Sequence, residues 1–392
     1  MSSVVAPAMV WFHLLRKIHV KAILALLCII SFLAFGFFSS NVIFPDPSAA
    51  NLKTHAFGVR LTIVQRKILG ELPPLQSSKK KLLTVAVVSA YQNIEQRNSI
   101  RSTWGHPLTQ LSENVVVRFF IGKKPAQDSL ANHTLHFDDE IDLSFEEDYR
   151  KLASKSKAVL EWLEKAQMES EFYMKTDDDT FINLPALANY LRNFKNSPEM
   201  DKPSRFFMCH LHVNSTPVRD NSSDWYIDSQ FFDGPRLPKY CSGSAYLFPA
   251  ESTKILLENV NSELNRNHLL DQEIPEDVLV SGFAAQKANF SHINMNSHFE
   301  CCFSNDRNAT TQSELHRHIV EWLCRRASEG AMVLHPLKLA QNVAPSDMMG
   351  ALLVASVVGS NHDCVNLANA SSAMSSNENE DFIQIKEAVR PI

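Results

Sequence analysis

The chain has 392 residues, 45% of them hydrophobic and 21% charged, enough for one large core or two modest ones. A formal net charge of −5 lacks the basic footprint of a nucleic-acid-binding protein, so no nucleic-acid partner is expected. Neither GxGxxG after the first apolar run nor GxxxxGKS/T occurs, which counts against a dinucleotide enzyme and a P-loop NTPase.

From the amino terminus, Arg16, Lys17 and Lys21 precede an uncharged apolar run from Ala22 to Phe38. That is a little under the roughly 20 residues a span needs, within reach of thin early-secretory membranes. A cleaved signal peptide shares the basic end, but Phe35 to Phe38 offers a poor small-residue cleavage site. The expectation is an uncleaved signal-anchor helix at 22–38 with residues 1–21 cytoplasmic, a single-pass type II topology. Six Asn-x-Ser/Thr sequons, at Asn132, Asn214, Asn221, Asn289, Asn308 and Asn369, all lie beyond it, as luminal placement requires. So do Cys209, Cys241, Cys301, Cys302, Cys324 and Cys364, an even set whose pairing the sequence leaves open. Adjacent Cys301-Cys302 matches no zinc spacing.

Residues 39–81, with Pro45, Pro47, Pro73 and Pro74, read as a stem. A luminal catalytic domain is expected over 82–358. Leu82 to Ala90 is the continuous apolar run of a buried parallel strand. Arg97, Ile100, Arg101 and Trp104 follow at near-helical spacing, Val115 to Ile121 reads as a second strand, and Glu146 to Ala166 has helical periodicity. Phe172 to Thr176 is the next strand. The order predicts an α/β fold with a largely parallel central sheet.

That strand runs into Asp177-Asp178-Asp179, three mutually repelling carboxylates where a fold gains nothing obvious from them. A turn there aims carboxylate oxygens beyond the strand's carboxyl end, where open α/β sheets bind ligands, and such oxygens suit Mg²⁺ or Mn²⁺. Further on, Arg205 to Cys209 is a candidate strand, Tyr240 to Phe248 a small-residue turn plus strand, and Ala250 to Val260 a helix. Pro275-Glu276-Asp277-Val278 places a second acidic pair at a likely helix start. His316 to Arg325 is helix-like, and Met332 to His335 follows. Residues 359–392, Ser/Asn/Glu-rich, read as a mobile tail.

Four blocks together resemble the β-1,3-glycosyltransferases of family 31: Arg97 to Gly105, Lys175 to Asn183, Tyr240 to Gly243, and Glu276-Asp277-Val278. The resemblance implies a GT-A type fold over roughly residues 82–358 and inverting transfer of a sugar from a UDP-sugar to an acceptor sugar hydroxyl, at a Golgi membrane. Galactose is the favoured hexose, N-acetylglucosamine or N-acetylgalactosamine the alternatives, and the acceptor a glycan on glycoprotein, glycolipid or proteoglycan. A homodimer is left open.

By the same resemblance, Asp179 would coordinate Mn²⁺ or Mg²⁺, with Asp177 and Asp178 supporting the ion and the nucleotide, and His335 a further metal contact. Asp277 would be the general base. Arg97 and Arg101, on one helix face, would hold phosphate or fix the acidic strand end. Tyr240, Ser242, Gly243 and Glu276 would line the substrate cleft. Glu276 to Gly282 (EDVLVSG) departs from the family, where many members have an aromatic residue after the valine and a glycine sooner. Asn294 to Thr311 matches no family pattern. A glycosidase, which also needs two carboxylates but no metal, and a glycan-binding protein without catalysis are the rival readings.

Overall fold

The structure is a computed structural model. It describes residues 80–123, 137–146, 152–165, 170–197, 204–266, 274–301, 303, 311–337 and 343–372, all within one unit that spans 56–392. The expected cytoplasmic tail, anchor and nearly all of the stem lie outside the described residues, as do Asn132, Asn308 and Cys302. Among the described residues no helix is long and apolar enough to cross a membrane.

The main sheet has seven strands in the order β3-β2-β1-β4-β7-β6-β8. They are β1 (Lys81–Ser89), β2 (Val115–Lys123), β3 (Glu140–Glu146), β4 (Ser170–Asp177), β6 (Phe206–His212), β7 (Tyr240–Pro249) and β8 (Ser291–Asn294). β1 is parallel to both neighbours, β2 and β4. Its apolar run is buried on both faces: Leu83, Val85 and Val87 enter one core, Ala86 and Val88 the other. That two-sided burial is why the run lacks alternation.

Helices cover both faces. On the first lie α1 (Ile94–Ser102), α4 (Leu184–Asn196), α6 (Gln312–Ser328), α7 (Pro345–Val358) and α8 (Asn361–Ser372), supplying among others Ile100, Leu191, Leu323, Met349 and Ala368. On the second lie α3 (Leu152–Lys165), α5 (Thr253–Arg266) and a π-helix (Val278–Ala284). The short α2 (Pro107–Glu113) precedes β2. Local signals set several starts. Asn183 caps α4 by accepting from the Ala186 N–H, and Thr311 with Glu314 forms a capping box on α6.

The chain leaves β1 toward β2 and β3, then returns to pair β4 on the other flank of β1. This reversal falls at the carboxyl ends of β1 and β4, the switch point at whose crevice open α/β sheets take ligands. β7 is antiparallel to β4, and β6 antiparallel to β7. The end of β6 and the start of β7 therefore share that edge with Ser89 and Asp177. A small second sheet, β5 (Phe181–Ile182), β10 (Val333–Leu334) and β9 (Phe299–Glu300), sits just after the Asp triplet.

Two sequence expectations are corrected. Glu146 ends strand β3 rather than opening a helix, and the helix is described only from Leu152. The stretch after Gly359 is not simply a tail: α8 packs on the core and its Cys364 is disulfide-bonded to Cys324 of α6. Gly359 supplies the left-handed turn (φ 70°) between α7 and α8, a conformation that glycine adopts without a Cβ clash. A second disulfide, Cys209–Cys241, joins β6 to β7.

Candidate active site

β4 delivers the Asp triplet to the crevice. Asp177 is its last residue, the chain turns through Asp178-Asp179, and β5 follows. β5 pairs with β10, which brings His335 alongside. The Leu337 N–H donates to the Asp179 carbonyl (2.8 Å), and the His335 N–H to that of Glu300 (2.9 Å). His335 Nε2 lies 3.3 Å from Asp179 Oδ1 and 3.9 Å from Asp177 Oδ2. One ligand atom from each of Asp177, Asp179 and His335 falls within 4.8 Å of the others. The Nδ1 of His335 faces the Cys301 carbonyl at 3.4 Å, which can only accept. Nδ1 therefore donates to that carbonyl, and Nε2 is the ring atom turned to the two carboxylates, the one that would ligate a shared ion. Two carboxylates and an imidazole fit Mn²⁺ or Mg²⁺ by donor chemistry.

Asp178 points elsewhere. Its Oδ2 accepts from Ser89 Oγ (2.6 Å) and Asn93 Nδ2 (3.0 Å), clamping the ends of β1 and β4 together. Burial pushes its carboxyl up to about 6, against the opposing bond from Ser89.

Lys175 connects this group to the second acidic block. Its buried Nζ donates to Asp177 Oδ1 (2.7 Å) and the Gly243 carbonyl (2.6 Å), and lies 3.4 Å from Glu276 Oε2. Burial alone would lower its pKa, but Asp177 and Glu276 outweigh that and hold the ammonium above its ordinary value. Glu276 Oε1 also accepts from the buried Tyr246 hydroxyl (2.5 Å). Asp277, the N-cap of the π-helix, accepts from the N–H of Val278 at Oδ1 (2.8 Å) and of Gly243 at Oδ2 (3.1 Å). Burial, then the nearby Glu276 charge, push the Asp277 carboxyl up to about 7, while the Val278 N–H, Lys175 and the Gly243 N–H pull the other way. A base poised near neutrality suits taking a proton from a hydroxyl.

Arg97 donates to Glu140 (3.0 Å), Ser89 Oγ (2.9 Å) and the carbonyls of Ala90 and Tyr91. Arg101 forks onto Asp139 (2.9 and 2.7 Å) and reaches Glu140 (2.7 Å), its guanidinium lying over the Phe119 and Phe137 rings. These donors are engaged by β1, β3 and the residues just before β3, so the pair fixes the acidic strand beside the crevice. Trp104 is core, with its indole N–H on the Thr180 carbonyl (3.1 Å). Tyr240 is buried within electrostatic range of Asp277, and burial pushes its phenol up to about 12. Ser242 Oγ pairs with Ser244 Oγ (2.9 Å). Asn214, Asn221 and Asn289 are exposed, as sequon use requires.

Lys175, Ser89, Asn93 and Tyr246 were not singled out from sequence. A lysine inside a strand reads as solvated, and only the β4–β7 register places the Gly243 carbonyl, on a strand where the sequence suggested a turn, within its reach.

Fold and site define an α/β protein with an acidic group suited to a divalent cation at a sheet's switch point and a half-buried carboxylate, Asp277, beside it. The chain belongs to the galactosyltransferase family, whose family model matches residues 95–296. That range holds the Asp triplet and Asp277 but not His335. Mouse (Mus musculus) lactosylceramide 1,3-N-acetyl-β-D-glucosaminyltransferase is 29% identical over 199 residues, covering 48% of this chain and 52% of that protein. β-1,3-Galactosyltransferase 5 of Pan paniscus is 29% identical over 176 residues, 43% of this chain and 55% of its own. N-acetyllactosaminide β-1,3-N-acetylglucosaminyltransferase 2 of Mus musculus is 28% identical over 221 residues, 55% and 52%. The chain thus spans about half the length of the curated relatives it matches.

Proposed function

We propose that this chain is an inverting β-1,3-glycosyltransferase of GT-A type, moving a hexose, galactose first, from a UDP-sugar to an acceptor sugar hydroxyl. The observation that carries the reading is the pairing of two acidic centres on one sheet edge. Asp177, Asp179 and His335 form one, Asp277 the other, and Lys175 with Gly243 joins them. A glycosidase has no use for the first centre, and a carbohydrate-binding protein none for a carboxylate held near neutral pKa. The printed names of the relatives divide between galactosyl and N-acetylglucosaminyl transfer, so UDP-N-acetylglucosamine is the second donor to test.

Asp177, Asp179 and His335 would hold Mn²⁺ or Mg²⁺, which when bound supplies Lewis-acid stabilisation of the departing diphosphate's charge. Asp277 takes the proton of the acceptor hydroxyl. That oxygen's electron pair forms the new bond to the anomeric carbon, and the bond from that carbon to the diphosphate oxygen breaks, with its electrons leaving on UDP. Attack opposite the leaving group inverts the anomeric centre. Glu276, bonded to Tyr246 and beside Lys175, keeps a second negative charge behind the base and so keeps its pKa high. Asp178 keeps the nucleotide side of the crevice closed onto β1. The chain's setting would be a Golgi membrane, held by residues 22–38 as a single-pass type II protein with the domain luminal.

The test is transfer by the purified full chain in detergent, with UDP-galactose and UDP-N-acetylglucosamine, with Mn²⁺ or with EDTA. Metal-dependent transfer from one donor, lost in Asp179→Ala and Asp277→Asn variants that keep the wild-type circular dichroism, is the expected result. A folded wild-type chain that binds neither Mn²⁺ nor UDP would overturn it.

A further inference from the structure

The sheet edge that carries the proposed site continues past Asp277. Because β6 runs parallel to β1 and β4, its last residues, His210 and His212, emerge on the same edge, beyond β7 from Asp177. His212 is register-paired with Tyr240, and its imidazole stacks on the phenol ring at 4.9 Å and 28°. Tyr240 lies three residues before Gly243, whose N–H binds Asp277. On its other side, His212 Nε2 is 4.0 Å from Cys301 Sγ, and the Cys301 carbonyl is the group facing His335. One residue, Cys301, therefore stands between His212 and His335 of the acidic triad, and His212 rests directly on the strand that holds the base. His210 stands beside it, ring centroids 5.3 Å apart, with Nδ1 on the Phe299 carbonyl (2.8 Å).

His210 and His212 are partly exposed, whereas Tyr240 and Cys301 beneath them are buried. Burial, and then the neighbouring His210, lower the His212 pKa to about 4, so its ring is neutral in use. His210, His212 and Cys301 have the spacing of a metal triad, but the sulfur of Cys301 is bonded in a disulfide, and thiolate rather than disulfide sulfur ligates metal. What remains is a partly exposed, aromatic, hydrogen-bonding surface on the sheet edge, His212 seated on Tyr240 with His210 beside it. Such a surface complements a pyranose, which presents C–H groups on one face and hydroxyls at its rim.

Position selects which sugar it meets. The switch-point crevice at the ends of β1 and β4 is the nucleotide side. In-line displacement brings the acceptor to the anomeric carbon from the side opposite UDP, where Asp277 stands. On this edge that side is β7 and β6. We propose that His212, seated on Tyr240, is an acceptor-binding residue that hydrogen-bonds a hydroxyl of the acceptor pyranose and thereby selects among acceptors. This rests on the glycosyltransferase reading above.

The experiment measures steady-state transfer by the full chain with the donor it uses, against p-nitrophenyl β-galactoside and p-nitrophenyl β-N-acetylglucosaminide, for wild type, His212→Ala and His212→Phe. UDP affinity is measured by calorimetry on the same proteins. Losing a neutral hydrogen bond and a stacking face raises the acceptor KM of His212→Ala about tenfold, with the donor KM and the UDP Kd within about twofold of wild type. His212→Phe, which keeps the stack and loses the hydrogen bond, falls between. An unchanged acceptor KM, or an equal loss of UDP affinity, overturns the assignment and leaves His212 a structural residue. A wild-type chain that binds no UDP defeats the glycosyltransferase reading itself, and this inference with it.

Discussion

Replacing Asp277 by Asn separates charge from shape at the proposed base. The wild-type carboxyl rises from 3.8 to about 7 on folding, which corresponds to roughly 4 kcal/mol against ionisation in the folded chain. Asn escapes that penalty. It offers one carbonyl oxygen to two backbone donors, the N–H groups of Gly243 and Val278, and leaving one of them unmatched costs about 1–3 kcal/mol. The sign follows from linkage. A carboxyl with a raised folded pKa binds more protons in the native than in the unfolded state at intermediate pH. Its contribution is fully present below the unfolded value and is lost as pH rises through the folded one. Asn does not titrate. From about pH 5 to about pH 8, the stability of Asp277→Asn relative to wild type should therefore improve by roughly 3 kcal/mol. Urea denaturation of both proteins at each pH reads this directly. Transfer, measured on the same preparations, should fall about 10²–10⁴-fold, and the wild-type rate should climb with pH through about 7. A relative stability that does not move with pH would refute the desolvated, charge-crowded carboxylate, and a variant within tenfold of the wild-type rate would refute the base.

Three further outcomes are expected. Lys175→Met leaves Asp177 and Glu276 without their shared cation and should cost about 3–5 kcal/mol in urea unfolding, with Glu276→Gln added to it recovering part of the loss. Asp179→Ala and His335→Ala should each weaken Mn²⁺ binding, followed by electron paramagnetic resonance, by about 10–100-fold or more, the scale on which even groups behind a ligand act, and a normal affinity in both would remove the ion from that triad. Ser281→Ala deletes the hydroxyl that accepts from the Cys241 N–H (2.8 Å) and donates to the Asp277 carbonyl (2.7 Å). A loss of about 1–3 kcal/mol in stability, with a fall in kcat and an unchanged UDP affinity, is the expected signature of a residue that positions the base.

The parts of the site that sequence made legible are the ones whose chemistry conflicts with local structure. Three carboxylates at the end of a strand display no folding gain in the sequence alone, so Asp177, Asp178 and Asp179 stood out, and β1 was readable because an uninterrupted apolar run admits few other placements. What the triplet could not reveal was its division of labour. Asp177 and Asp179 turn to His335 while Asp178 turns inward to Ser89 and Asn93, a choice made by the turn after β4 and by pairing with β10, more than 150 residues on. Strand β3 escaped notice because EIDLSFE mixes acids into its alternation, and with it went the partners of Arg97 and Arg101, which could then be read as phosphate ligands.

The residues that sequence missed share a physical cause: their meaning is set by strand register. Lys175 is unremarkable until β7 runs antiparallel beside β4 and puts the Gly243 carbonyl and Glu276 within its reach. His212 is unremarkable until β6 pairs with Tyr240. The π-helix after Asp277 has a similar origin. Ser281 bonds the Cys241 strand, while Gly282 sits where a Cβ would come within 3.3 Å of Pro238 and Tyr240. Ser281 and Gly282 are the fourth and fifth residues from the Asp277 N-cap and lie within the wider turns of this π-helix. Such turns concentrate at functional sites because there the side chains dictate the backbone. Here the helix starts on the proposed base, and its fourth residue, Ser281, bonds the strand whose Gly243 N–H hydrogen-bonds that base.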